Sequence, residues 1–167
     1  FKKFPNINPI GNFTLSKKKP IMKKNGSVLI VIGNFPRYSY HLYSVPIASQ
    51  VEDYIQDQIN LINLFSNKIR KRIKLRLYFH DWGWNLKKQF AKNCNDIIIE
   101  EPSQNIRKSM NTSRVFISTY NATTYLESLS WNFPTLIFWN PKYWELNKHA
   151  EKYFILLKKF GIFHDNA

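Results

Sequence analysis

The chain holds one cysteine, Cys94, in 167 residues. A lone cysteine closes no internal disulfide and builds no cysteine-based zinc site. Glycine is also scarce, with 5 in the whole chain, and none falls in a Gly-x-Gly-x-x-Gly run, a P-loop or a Gly-x-Ser-x-Gly elbow. Those absences remove the dinucleotide fingerprint, the ATPase reading and the hydrolase nucleophile turn. The 4 histidines show no His-x-x-x-His spacing, so no metal ligand set is expected. No apolar run approaches the roughly 18–20 residues of a membrane span. Nor is there a signal-peptide layout, so the chain reads as cytoplasmic. Acids are few, 11 against 25 lysines and arginines, which leaves a net charge of +14.

What is present is apolar and aromatic. The hydrophobic share is 44%, which marks a globular chain rather than a disordered one. The positive charge points to nucleic acid, an anionic membrane face or an anionic substrate. Lysine, asparagine and isoleucine are abundant together, so part of that charge reads as compositional drift spread over a solvated surface. The start at Phe1 and the stop after "FGIFHDNA" suggest a piece of a longer protein.

Residues 1–26 carry Pro5, Pro9, Pro20 and the run Lys17–Lys19, and read as an arm or linker. Residues 27–167 then alternate strand and helix signals. "VLIVIG", ending at Gly33, is continuously apolar, as in a buried parallel strand. A helix follows, with Ser49 and Glu52 spaced as a capping box. Val51, Ile55, Ile59, Ile62, Phe65 and Ile69 form its apolar stripe. Strands "KLRLYF", "DIIIE", "RVFIS" and "TLIFW" come next, with helices between them. The helix after "RVFIS" spans Ala122 to Trp131, and a last helix opens at Asn140-Pro141 and closes at Gly161. About five strands separated by helices specify an α/β fold, a doubly wound and mostly parallel sheet. Ligands of such sheets bind beyond the carboxyl ends of the strands.

Three stretches fall at those ends. In "STYNATTYLE", Asn121, Thr123 and Thr124 lead from a strand into a helix whose free amides form an anion site. Glu127, one turn further, is spaced to accept from ribose hydroxyls; a well-capped helix, with Asn121 as N-cap and Thr124-x-x-Glu127 as capping box, explains the same residues. In "GNFPRYSYH", Arg37 offers a bidentate phosphate contact and Tyr38 a stacking ring, with His41 beside them. In "LRLYFHDWGW", His80 and Asp81 are neighbours that point to opposite faces and form no dyad, and Arg76 inside the strand needs a partner.

"STYNATTYLESLSWNFPTLIFWNPKYWEL", "AEKYFILLKKFGIFHD", "NFPRYSYH", "RLYFHDWGW" and "SVPIASQVEDYIQDQINLI" together resemble a family of bacterial transferases of surface-carbohydrate (lipopolysaccharide or capsule) biosynthesis. The resemblance covers nearly everything after residue 26. That family looks like the GT-B glycosyltransferases, whose C-terminal Rossmann-like domain holds a nucleotide-sugar donor. The resemblance implies that Thr119, Asn121, Thr123, Thr124 and Glu127 grip the donor's phosphates and ribose, with Arg37 and His80 on opposing loops as catalytic candidates. It implies no cofactor besides the nucleotide-sugar substrate, a glycan or lipid-linked acceptor, and work at the inner membrane face, with an anionic membrane surface as a further partner. The N-terminal acceptor domain of that architecture is missing here, so the piece alone is expected to be inactive. The competing readings are a basic nucleic-acid-binding module and a membrane-surface module without catalysis. The aromatics fall mostly on strands and helix faces, and no RNA-binding signature is present, which disfavours nucleic acid.

Overall fold

In the computed structural model, residues 18–38, 46–101 and 105–166 are described. They form one parallel sheet of six strands: β1 (Ser27–Val31), β2 (Ile73–Arg76), β3 (Ile98–Glu100), β4 (Ser113–Ser118), β5 (Thr135–Phe138) and β6 (Phe163–His164). Their order is β3-β2-β1-β4-β5-β6, and every pairing is parallel. The winding therefore runs outward from β1 to β3, then restarts on the other side of β1. The connecting helices are α1 (Ala48–Leu64), α2 (Asn67–Arg70), α3 (Leu86–Asn93), α4 (Ile106–Asn111), α5 (Thr123–Ser130) and α6 (Lys148–Lys159). Among the described residues no helix is long and apolar enough to cross a membrane. The architecture is Rossmann-like.

β1 lies at the centre, and Leu29, Ile30, Val31 and Ile32 are all buried. A continuously apolar strand is what burial on both faces requires. β2 buries Ile73 and Leu75 but leaves Lys74 and Arg76 half-buried. Trp139, Tyr54, Phe90 and Phe116 are the largest fully buried side chains. Around Trp139 pack Tyr125, Trp144, Phe154 and Phe163, with ring centroids 5.3–5.9 Å away.

Four local expectations change. The long apolar stripe is two helices, because Phe65 and Ser66 are extended and turn the chain toward β2. α1 starts at Ala48, and Gln50 rather than Glu52 reaches back: its Oε1 accepts from the Ile47 amide at 3.1 Å. Asn140 does cap, accepting from the Lys142 amide at 3.0 Å, but only a single 3-10 turn, Pro141–Tyr143. Buried Tyr143 and Trp144 draw the chain back into the core before α6 begins behind a second cap, Asn147. Finally, Gly161, with φ +67°, ends that helix as expected but delivers a sixth strand.

The described part of the N-terminal arm packs against the domain. Pro20 is buried, the Ile21 amide donates to Asn111 Oδ1 at 2.8 Å, and the Lys23 amide donates to the Ser113 carbonyl at 2.9 Å.

Candidate functional site

The sheet reverses its winding between β1 and β4, so their carboxyl ends diverge into a crevice. The floor of that crevice is a buried hydroxyl network. The Gly33 amide donates to the Tyr54 hydroxyl at 2.9 Å. Thr119 Oγ1 donates to the Val31 carbonyl at 2.7 Å and lies 2.8 Å from the Tyr54 hydroxyl. Because the threonine proton goes to Val31, the phenol proton must go to Thr119. Burial pushes the Tyr54 phenol far above its ordinary range, so it stays protonated and keeps that bond. Thr119 is thus fully buried, and its hydroxyl ties the two strand ends together. Tyr54→Phe leaves the Gly33 amide without its acceptor, and a urea titration should show a loss of about 1–3 kcal/mol. A loss below a few tenths would mean that water replaces the phenol.

The loops after β1 and β2 are latched to each other. β2 stops at Arg76, where its partner β3 ends at Glu100, so the expected strand continuation Leu77–Phe79 is loop. Asn34 Nδ2 donates to the His80 carbonyl at 2.7 Å, Trp84 Nε1 to the Phe35 carbonyl at 2.7 Å, and the Arg37 amide to the Trp82 carbonyl at 3.2 Å. Asp81 Oδ1 accepts from the amides of Gly83, Trp84 and Asn85 at 2.9–3.1 Å. That carboxylate is a loop cap, spent on backbone amides. His80 is exposed, its ring 4.5 Å from Trp82. Arg37 is exposed as well, donating to the Gly83 carbonyl at 3.2 Å with its guanidinium 5.3 Å from the Trp84 ring. His41 lies outside the described residues.

Across the crevice, α5 begins one residue later than its sequence suggests. Ala122 is the N-cap and makes no side-chain cap bond. Asn121 Oδ1 instead accepts from the Tyr125 hydroxyl at 3.2 Å. Thr124 and Glu127 both lie inside the helix, so the capping box expected of them does not form. Among the described residues, the start of α5 at the carboxyl edge of the sheet has no side-chain cap bond. Thr123 is exposed beside them. Among the described residues the buried Thr124 Oγ1 meets no partner in hydrogen-bond geometry, although it approaches the Tyr120 phenol. Burial raises the Tyr120 pKa and the Thr124 hydroxyl offsets part of that rise. Glu127 is half-buried one turn deeper.

Two cavities meet at Tyr78 and Tyr120. One, about 330 Å³, is lined by Gly33, Asn34, Phe35, Pro36 and Trp82. The other, about 180 Å³, runs under α5 to Thr124 and Arg76. Arg76 has the partner its position demands: Nη1 is 3.2 Å from Glu100 Oε2, and Ser109 Oγ donates to the same oxygen at 2.7 Å. Among the described residues no three His, Cys, Asp or Glu side chains gather as a metal site.

The fold thus brings Thr119, Asn121, Thr123, Thr124 and Glu127 to one side of the crevice, and Arg37 and His80 to the loops opposite. The residues that sequence reasoning missed are Tyr54 and Tyr120. Tyr54 falls three residues after Val51 on the buried stripe, a phenol where an aliphatic would suffice, and that was the available signal.

A family model described as LIC12162 family transferase matches residues 2–167. Searches of curated proteins and of solved structures give no significant match. The chain belongs to the LIC12162 transferase family.

Proposed function

We propose that this transferase domain binds a nucleoside diphosphate-sugar at the β1/β4 crevice and is the donor-binding half of a glycosyltransferase of surface-carbohydrate biosynthesis. The observation that carries the reading is the uncapped start of α5, whose amides and the buried Thr124 hydroxyl border a cavity at the sheet's reversal point. The diphosphate rests on that first turn with Thr123 and Thr124, and Glu127 accepts from the ribose hydroxyls. Tyr120, Tyr78 and Trp82 offer ring faces along the neighbouring cavity. An acceptor hydroxyl oxygen bonds to the anomeric carbon while that carbon's bond to the β-phosphate oxygen breaks; the nucleoside diphosphate departs with that electron pair and the acceptor's hydroxyl proton passes to water. The amides and hydroxyls of the first turn, with Arg37, stabilise the charge that develops on the leaving group.

A thermal-shift screen of nucleoside diphosphates and nucleotide sugars at two salt concentrations tests this. One nucleotide should stabilise the chain selectively, by about 2.7 kcal/mol at a hundredfold excess over its dissociation constant. Thr124→Val and Glu127→Ala should each weaken that binding about tenfold, ~1.4 kcal/mol. Absence of any nucleotide shift, together with salt-sensitive binding to DNA or RNA, would transfer the reading to a nucleic-acid module.

A further inference from the structure

We propose that the outward face of α6 docks the protein on an anionic bilayer. The surface is built from two parallel stripes. α6 buries only Phe154, and its opposite side is left bare. Tyr153, Leu156 and Phe160 recur three and four residues apart, which places them on one line along the helix. They are 59%, 49% and 68% exposed, and Ile155, about 100° round the helix from Leu156, is 70% exposed. Next to that line runs a second, Lys148, Lys152 and Lys159, all exposed. The Lys152 ammonium lies 5.0 Å above the Tyr153 ring, so the two stripes touch. Glu151, the one acid of the helix, is exposed three residues after Lys148 and four before Ile155, so the lysines of that side outnumber it three to one, and Lys158 is paired with Asp165.

Four large apolar side chains held in water within eight residues mark a contact surface. Its chemistry selects the occupant. A protein groove that took Tyr153, Leu156 and Phe160 would have to desolvate the adjoining lysines, which is costly without matched acids. A bilayer surface accommodates both stripes: the apolar groups enter the headgroup–acyl boundary while the ammoniums extend to lipid phosphates. Tyrosine suits that boundary, having an apolar ring and a wet hydroxyl. The chain's net charge of +14 favours an anionic leaflet over a neutral one.

The test is co-sedimentation of the whole chain with vesicles of phosphatidylcholine alone and of phosphatidylcholine mixed with phosphatidylglycerol. Binding is expected to the mixed vesicles and not to the neutral ones. Each lysine near an anionic leaflet is worth roughly fivefold in partitioning, so the triple variant Lys148→Gln, Lys152→Gln, Lys159→Gln should lose on the order of a hundredfold. The triple variant Tyr153→Ser, Leu156→Ser, Phe160→Ser should bind weakly despite its unchanged charge. A control with the same charge loss elsewhere, Lys68→Gln, Lys71→Gln, Lys92→Gln, should bind much as the parent does. Should the serine variant fail to fold, the two lysine triples still decide the matter by comparison. Equal loss from both lysine triples would reduce the effect to diffuse charge and overturn the proposal. So would an absence of binding to either vesicle, or a dimer that the serine variant abolishes. Nucleotide stabilisation should be the same in all these variants, so this docking surface and the donor site can fail separately.

Discussion

Replacing Glu100 with leucine should lower the unfolding free energy by about 3–5 kcal/mol, the cost of removing one partner from a mostly buried ion pair. Arg76 and Glu100 sit opposite one another in the β2–β3 register, with side chains 15% and 9% exposed. Ser109 Oγ binds the same carboxylate oxygen, so the substitution also removes the serine's acceptor. The guanidinium would stay charged in a poorly hydrated place having lost its carboxylate. Glu100→Gln keeps the shape and a carbonyl acceptor, and should cost less than half as much. Arg76→Met combined with Glu100→Leu should recover most of the loss, because an apolar pair of similar volume commonly matches a buried ion pair. Urea titrations of the three variants check the pattern. A double variant as unstable as Glu100→Leu alone would mean that Arg76 is retained for its other contacts, not for this pair. The same pair fixes a cation beside the cavity that reaches Thr124, so Glu100→Gln is also the variant in which to look for altered nucleotide affinity.

The fold was largely legible because its signals are local. Runs such as "VLIV" and "TLIF", short and bounded by turn residues, read as buried strands, and the helices between them favour parallel pairing. Arg76 announced a partner simply by lying inside a strand. The order of strands was not legible, since nothing in one sequence says that β4 returns to pair with β1. The two-residue strand β6 is too short to carry a period at all. Helix starts failed for a physical reason: several side chains compete for the same cap. Asn121 had the right chemistry for α5, but its oxygen is taken by the Tyr125 hydroxyl, and the helix begins at Thr123, behind Ala122, without it.

The candidate site was legible as a place rather than as a set of contacts. "STYNATTYLE" lies where the rule for open α/β sheets puts ligands, and the structure sets Thr123, Thr124 and Glu127 along one helix there. Thr119 looked equivalent to its neighbours in sequence. Only the crossing of α1 under β1 and β4, which brings Tyr54 to it, shows that its hydroxyl is spent on Val31 and Tyr54. Three-dimensional neighbours decide whether a hydroxyl faces a ligand or the core, and they do not appear in spacing.

Gly26→Ala should cost about 3 kcal/mol, the upper end of the penalty for overpacking. Gly26 is buried just before β1, with its amide donating to Lys23 and its carbonyl accepting from Arg72 Nη2 at 2.6 Å. A methyl group there would stand 2.6 Å from the Ser113 carbonyl carbon and 2.7 Å from Arg114 N and Thr112 O. All three are backbone atoms at the start of β4, so no side-chain rotation relieves the contact. The segment cannot step aside either. The Ser27 amide donates to the Thr112 carbonyl at 3.1 Å, and Ser27 pairs with Ser113 where the β1–β4 register shifts. The entropy that alanine removes from the unfolded chain, about 0.4–1 kcal/mol, opposes the loss without matching it. Gly161→Ala is the control of opposite kind. Gly161 has φ +67° but nothing within 4 Å of the added carbon, so it should cost only the ~1–2 kcal/mol of a left-handed backbone. Gly161→Asn should cost less still, whereas Gly26→Asn should be worse than alanine. If Gly26→Ala unfolds at the parent's urea midpoint, the β1–β4 junction can open far enough to admit the methyl, and the registered pairing there is softer than its hydrogen bonds imply.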